Sequence, residues 1–441
     1  MKKQSRIEQL PAALAAHRLS RRSALKGAGA VAVAAATGTS LAITAPVVGA
    51  AQEKTQIRLT TWAAVDEANE LQIVIDAVNA EATDFEIISE PQPSDYYTKL
   101  QTTIAGGTAP DLFWLSQEFV AGYASLGAAM DISDRLAADD TPASDLADYF
   151  EPILQTAQYE GQTYGLPWIS QPVMLYYNPA LLEAAGIGEP DETWDWDMFK
   201  QAAEATTDAE AGVYGTSFNS WPPIHMFIWQ AGGETISEDL ASCPIDSPEA
   251  ITGANFYVDI IYNQQYAAPE TAITEQGFGE MVKAGKVALF FGGAADDLEF
   301  AHTKDPANTV LKMSVVPSGP QGRDTFAYVA STVINNATEN PDMAYKALVA
   351  LTEGIHHWKI VAPRQSLANE DTIAASVPDK AASAPVIISA LDDMRSFNLI
   401  PQQAEWDTTF FDEYQTPIFF KEATPEELAP EIRPVLEELL P

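Results

Sequence analysis

The sequence predicts an α/β protein of two lobes, with helices covering a largely parallel sheet. Three observations carry that expectation. At 441 residues the chain is too long for one compact core and suits two lobes of ordinary size. Between Gln56 and Leu115, strand-like and helix-like stretches alternate, the order from which parallel sheets with helices on their faces are built. The stretch Tyr159 to Asn178, YEGQTYGLPWISQPVMLYYN, has to run extended, because Gly165 and Pro167 interrupt any helix.

Taken in order, Gln56 to Trp62 alternates Ile57, Leu59 and Thr61 and reads as the first strand, with Trp62 at its carboxyl end. Helical spacing of Leu71, Ile73, Val74, Ile75 and Val78 follows between Asp66 and Ala80. Phe85 to Ser89 is a second strand, Ser94-Asp95 is expected to cap a helix ended by Gly106-Gly107, and Asp111 to Leu115 is the third strand. Ligands of such sheets sit beyond the carboxyl ends of the strands, where Trp62 and Trp114 to Ser116 fall. Phe119 to Asp131 reads as a short helix and turn, and Asp139 to Tyr149 as acidic surface. Glu160-Gly161 offers a tight turn, Val173 to Tyr177 is a buried strand, and Asn178-Pro179 opens a helix that Gly186 closes. Thr193 is expected to cap the helix beginning TWDWDMFKQAAEA, with Asp195 and Asp197 in a first turn whose dipole favours negative charge. Trp194 and Trp196 then pack that turn against the sheet or stack on a sugar.

Val213 to Phe218 is a strand, and a helix runs through Met226, Phe227 and Trp229. Ser247 to Gln265 and Glu275 to Ala284 are amphipathic helices. The buried strand Lys286 to Phe291 ends in Gly292-Gly293-Ala294, small residues that let a ligand or another backbone come close, with Asp296-Asp297 just inside the next helix. Leu311 to Val316 and Phe326 to Ile334 are further strands, Asn340 to Leu351 is a helix, Pro363 to Ser366 a turn, and helices fill most of the rest.

Charge divides the chain unevenly. The first fifty residues hold seven of the 24 Lys and Arg and one of the 62 acidic residues, so removing their six net positive charges from the whole-chain −38 leaves −44 on the rest. Ser20-Arg21-Arg22-Ser23-Ala24-Leu25-Lys26, an Ala/Val/Gly run to about Ala45 and the small residues Val48-Gly49-Ala50 resemble a twin-arginine export signal cleaved near Ala50. With Cys243 the only cysteine, no intramolecular disulfide and no lipid anchor at the cleavage region are expected, and a soluble periplasmic protein follows. Such acidity opposes nucleic acid and anionic lipid, which need cations against phosphate, and it suits a salty habitat.

Catalytic signatures are missing. No Walker loop, GxGxxG, GxSxG or HExxH occurs, and His225, His302, His356 and His357 have neither a cysteine partner nor zinc spacing. Metal, cofactor and nucleophilic triad are therefore not expected. The many carboxylates leave room for a glycosidase pair without pointing to one.

The ordered set of the strand ending in Trp62, TAPDLFWLS at 108–116, YEGQTYGLPW at 159–168, LYYNPALLEAAGI at 175–187, ETWDWDMFKQAAE at 192–204, GKVALFFGG at 285–293, NPDMAYKALVALT at 340–352 and TPEELAPEIRPVLEEL near the carboxyl end resembles the family 1 extracellular solute-binding proteins of ABC importers, of the carbohydrate type that includes maltose and trehalose binders. The resemblance implies a two-lobed periplasmic-binding-protein fold, each lobe a doubly wound, mainly parallel sheet with flanking helices, and a ligand cleft at the hinge. After the signal at 1–50, lobe one is expected at 53–168 and 326–366, and lobe two at 169–325 and 367–441. The crossings are expected near Trp168 to Pro172, near Arg323 to Thr325 and after Arg364.

The implied function is non-catalytic. A monomer, without cofactor or metal, captures a mono- or oligosaccharide and presents it to the transmembrane subunits of a permease. A polyol or glycerol phosphate binder, a secreted glycosidase and an exported scaffold are the alternatives. Position by position, the family's contacts fall on Trp62, Asp111, Ser116 and Trp168, then on Tyr176, Trp221, Trp229, Gly292 and Gly293, and on Ser331 and Arg364 in later segments. Aromatic faces stack on the apolar face of a pyranose, while Asp, Ser and Arg satisfy hydroxyls in a desolvated cleft. Local roles stand beside these: Asp111 can bond amides in its own turn, and Arg364 can pair with a carboxylate.

Overall fold

A computed structural model describes residues 6, 7, 9–14, 17 and 54–441, apart from 220, 297 and 359–361. The twin-arginine stretch and the cleavage region lie outside the described residues, as does Asp297.

Nine strands among the described residues form one sheet. Its amino-terminal part is built from β1 (Thr55–Thr61), α1 (Val65–Glu81), β2 (Phe85–Pro91), α2 (Tyr96–Ala105), β3 (Leu112–Ser116) and α3 (Gln117–Ser125). β1 pairs in parallel with both β2 and β3, as strand–helix alternation requires. Leu71, Val74, Ile75 and Val78, spaced as one helical stripe, are the buried residues of α1. Each such aliphatic side chain stabilises by roughly 1.5–3 kcal/mol relative to leaving it in water.

The stretch from Tyr159 divides at Glu160-Gly161, both at positive φ, into β4 (Gln158–Tyr159) and β5 (Gln162–Thr163). It continues as the long β6 (Gly165–Tyr177). The first part of β6, from Gly165 to Pro172, pairs antiparallel with β10 (Thr325–Ile334); the second, from Val173, pairs with β8 (Val287–Gly293). β8 in turn pairs in parallel with β7 (Tyr214–Thr216), β9 (Lys312–Ser314) adds to β6, and β11 (Met394–Arg395) adds to β10. The path is β2-β1-β3-β10-β6-β8-β7. β6 and β10 thus run from one lobe into the other and join the strands of both into one network.

The cores divide accordingly. One set of clusters gathers Leu59, Trp114, Trp168, Leu348 and Phe113, and another gathers Val173, Phe227, Tyr257, Phe290 and Trp406. Tyr328, midway along β10, packs against a core of each set. The α/β class with parallel pairing expected from the sequence is therefore present.

Three local expectations are corrected. Ser94-Asp95 does not cap α2 through a side chain: Asp95 adopts a left-handed φ of 51° in place of the extended backbone that a capping side chain uses. The helix α4 (Trp196–Ala205) is capped by Asp195, which accepts from Met198 N at 2.8 Å, whereas Thr193 is engaged by Asp191. Glu275 to Ala284 is not one helix: Gly277, at φ 81°, separates Glu270–Gln276 from Phe278–Lys283. Later elements used below are α5 (His225–Gln230), α6 (Pro341–His356) and α7 (Gln403–Thr409).

Candidate functional site

The sheet order brings the carboxyl ends of β1 and β3 beside the crossing strands, and aromatic side chains collect there. Trp62, one residue beyond β1, is half-buried; its ring centroid lies 5.4 Å from Tyr96 and 5.2 Å from Trp114, both edge-on, and 6.2 Å from Trp168. Trp168 in β6 lies 4.2 Å from Trp114 in β3 because both strands flank β10. The four rings make a wall whose half-buried member is Trp62.

Beside that wall runs a short proton chain. The Tyr97 hydroxyl accepts from Ser116 N at 3.0 Å and lies 2.8 Å from Ser116 Oγ, which donates to Glu118 Oε1 at 2.6 Å. With the serine proton committed to the carboxylate, Tyr97 is the donor to Ser116. Tyr97 is held in place by stacking on Phe119 at 3.8 Å. Burial pushes the Glu118 carboxyl up, against the opposing pull of the Ser116 hydroxyl. Burial also pushes up the hydroxyls of Tyr97 and Tyr328, and the charge of Glu118 adds to both. Both phenols are therefore protonated donors at neutral pH.

The opposing wall gathers on the other core, around Phe326 at the start of β10. Phe326 has Trp221 at 5.2 Å, Trp229 at 6.4 Å and Phe397 at 5.0 Å. The Arg395 guanidinium lies 4.8 Å over the Trp229 ring and is paired with Glu234 and, at 3.2 Å, with Asp324. His225, at the start of α5, packs 4.8 Å from Phe397 and 5.1 Å from Phe410. Burial lowers its pKa to about 3, so the imidazole is neutral. Asp407 on α7 accepts from Gln403 Nε2 at 2.7 Å; burial pushes its carboxyl up to about 7, Gln403 opposes this, and the charge of Glu118 in the other lobe adds to it. A pocket of about 390 Å³ is lined by His225, Phe397, Asp407 and Phe410 among others. A larger one, about 540 Å³, lies against the Ser133–Ala137 helix and Gln158 and contains none of these aromatic residues.

The two walls touch. Ser396 Oγ donates to Gln117 Oε1 at 2.6 Å, and the Pro401 carbonyl lies so close to Gly122 that a Cβ there would stand 2.9 Å from its oxygen. α3 therefore packs against the segment leading into α7.

The structure brings Trp62, Ser116 and Trp168 together on one wall and Trp221 and Trp229 on the other. Ser331, 1 % exposed, sits on β10 opposite Leu115 and Pro167. Tyr176, Gly292 and Gly293 form a separate group: the Tyr176 hydroxyl donates to Gly293 O at 2.8 Å, and Gly293 N donates to Asp296 Oδ2 at 2.9 Å. A Cβ on Gly292 would stand 2.9 Å from the Tyr176 ring, and one on Gly293 would collide with Gln171 Nε2. Asp111 accepts from Arg58 N at 2.9 Å and from the Thr338 hydroxyl, both local contacts. Arg364 is buried and paired with Asp148 at 2.9 Å and Glu353 at 2.8 Å. Tyr97, Glu118, Tyr328, His225, Phe397 and Asp407 were not singled out as contacts by sequence; only Glu118, two residues past the third strand, had a positional signal. Among the described residues no group of three or more His, Cys, Asp and Glu could hold a metal ion, and no helix is long and apolar enough to cross a membrane.

Residues 64–353 match the family profile described as bacterial extracellular solute-binding protein, well over half of the chain. The chain belongs to that family. A putative binding protein of Brucella abortus is 26% identical over 254 residues, 57% of this chain and 60% of the relative, so the family member described here spans about 60% of the length of that curated relative. The diacetylchitobiose binding protein of Streptomyces coelicolor is 29% identical over 143 residues, 32% of each chain. Among solved structures, the ABC substrate-binding protein of Listeria monocytogenes in complex with cycloalternan has a TM-score of 0.73 at 20% identity, covering 88% of this chain and 99% of its own. That likeness establishes the two-lobed fold of this solute-binding protein.

Proposed function

We propose that this solute-binding protein is the substrate-binding component of an ABC importer: it captures a mono- or oligosaccharide between its lobes and delivers it to a membrane permease. The observation that carries the reading is the pairing of the Trp62–Trp168 wall and its Tyr97–Ser116–Glu118 chain with the Trp221–Trp229 wall across one seam. Aromatic faces take the C–H face of a sugar ring, and the hydroxyls and carboxylate take its polar edge. Hinge closure around ligands is the usual motion of periplasmic binding proteins, and β6 and β10 supply strands on which the lobes pivot. The lobes are taken as 53–168 with 326–366 and 169–325 with 367–441. The relatives that bind diacetylchitobiose and cycloalternan support a carbohydrate.

The protein acts without catalysis, as a monomer, after export through a twin-arginine signal, free in the periplasm. A thermal-shift panel of sugars, polyols and glycerol phosphates tests the reading. A ligand at a hundred times its dissociation constant stabilises by about 2.7 kcal/mol, a plain rise in melting temperature. No shift with any sugar, or turnover of an oligosaccharide, sinks it.

A further inference from the structure

We infer that the solute carries an acetamido group, as an N-acetylhexosamine does, and that this group lodges in the cavity beside the second wall with its polar atoms on His225. The inference rests on the reading above, that the protein takes a carbohydrate, and narrows it.

The cavity adjoins the aromatic rings of that wall. Phe397 belongs to both: its ring lies 5.9 Å from Trp229 and 5.0 Å from Phe326 on one side, and 4.8 Å from His225 on the other. A substituent on a pyranose held against the wall therefore has the cavity of about 390 Å³ next to it.

His225 shows what the cavity lacks. It is 5 % exposed and lines the cavity, and among the described residues neither of its ring nitrogens has a hydrogen-bond partner. Its neighbours explain why. Phe397 and Phe410, the latter at 5.1 Å, have no polar atoms, and the indole N–H of Trp406, whose ring lies 6.1 Å away, goes to Cys243 Sγ. Burial keeps the imidazole neutral, so one nitrogen donates and the other accepts, and both are costly to leave unmade.

The other polar groups of the lining are already answered. Asp407 accepts from Gln403 Nε2 at 2.7 Å, the Thr408 hydroxyl donates to Ala404 O at 2.8 Å, and Gln415 Nε2 donates to the Tyr257 hydroxyl at 3.0 Å. Asp412 is exposed to water. Pro223, Phe397, Phe410 and Phe411 make the rest of the surface apolar. The cavity thus asks for one donor, one acceptor and an apolar end.

An acetamido group brings all three. Its carbonyl can accept from the protonated ring nitrogen, its N–H or the adjoining sugar hydroxyl can donate to the other, and its methyl meets the phenylalanine lining. A hydroxyl at the same carbon offers one atom for two nitrogens on opposite edges of the ring, and nothing to the phenylalanines. A free amine, protonated at neutral pH, has no acceptor and brings a charge that must be desolvated.

Calorimetry on the full chain with matched probes tests this: N-acetylglucosamine, glucosamine and glucose, and the corresponding β-1,4 disaccharides. The acetylated member of each set is expected to bind tighter than both others by about tenfold or more. His225→Phe is expected to remove that preference, and a preference that survives it overturns the placement. The unsubstituted protein supplies a second readout if the variant fails to fold. The ring ¹⁵N signals of His225, identified by their contacts to Phe397 and Phe410, are expected to shift when N-acetylglucosamine is added, and unmoved signals overturn the placement. Equal or tighter binding of an unacetylated probe overturns the acetamido group and leaves the sugar reading intact. So does failure of every acetylated probe when the broader panel yields another sugar; failure of that whole panel sinks both readings.

Discussion

Ser116 is the residue on which the first wall turns, since one hydroxyl links the Tyr97 phenol to the Glu118 carboxylate. Sequence pointed to Trp62 and Ser116 because strand ends in a parallel sheet can be found from alternation and from where it stops, and to Trp168 through the resemblance, as the expected first crossing. Asp407 could not be reached that way. Its character comes from burial and from Glu118, which lies in the other lobe and far away in the chain. The same holds for His225, whose isolation from partners depends on Phe397 and Phe410 arriving from later segments. Asp407 and His225 impose opposite pH dependences. The folded-state pKa of Asp407, about 7, is above its ordinary 3.8, so its contribution is fully present below about pH 4 and is lost as pH rises through 7. That of His225, about 3, is below its ordinary 6.5, so its contribution is present above 6.5 and lost as pH falls toward 3. The two partly cancel at intermediate pH, and a variant is needed to separate them. Asp407→Asn is expected to be more stable than the parent above pH 7, by about 1–3 kcal/mol after allowance for solvent, and to show no gain below pH 4. Urea unfolding across that range measures it, and a gain independent of pH would rule out the charge as its cause.

At the scale of elements, the legible features were those fixed by local rules. α1 follows from its apolar stripe and β6 from the absence of any helical alternative between Gly165 and Tyr177. Capping was less legible: Thr193 and Asp195 are both good caps in isolation, and the choice fell to Asp195 because Asp191 already holds the Thr193 hydroxyl. The packing of α3 on the opposite lobe had no local signal at all. It depends on Gly122, whose missing side chain lets the Pro401 carbonyl approach. A Cβ at 2.9 Å from a backbone oxygen cannot be absorbed by rotating a side chain, so the lobes must separate slightly. Gly122→Val should therefore weaken ligand binding about tenfold, or 1.4 kcal/mol, by penalising the closed state alone. Calorimetry with whichever sugar the panel identifies, paired with small-angle scattering, checks this; unchanged affinity and an unchanged radius of gyration on ligand addition would show that α3 and Pro401 do not limit closure.

The whole molecule carries a problem that none of its parts shows. Twenty-four basic residues face 62 acidic ones, for a net charge of −38, and past residue 50 the imbalance grows to −44. Many of the basic side chains are already committed: Arg58 to Glu90, Lys346 to Asp84, Lys312 to Glu189, Arg433 to Asp246, and Arg364 to Asp148 and Glu353. Apart from the buried Arg364 pairs, such exposed pairs stabilise by less than about 1 kcal/mol each, so they do not offset the repulsion among the remaining carboxylates. That repulsion acts over the screening length, about 10 Å at 0.1 M salt and about 3 Å at 1 M. Spread over a compact protein it favours expansion, and added salt should relieve it. The melting temperature is accordingly expected to rise by several degrees between low and molar potassium chloride, with most of the gain complete once screening falls below the spacing of neighbouring charges. Sodium sulfate is the control, because it also strengthens apolar burial and should add a further rise at equal ionic strength. A melting temperature indifferent to chloride and responsive only to sulfate would mean that the acidic surface is tolerated without cost, and that a saline habitat is not what its composition answers to.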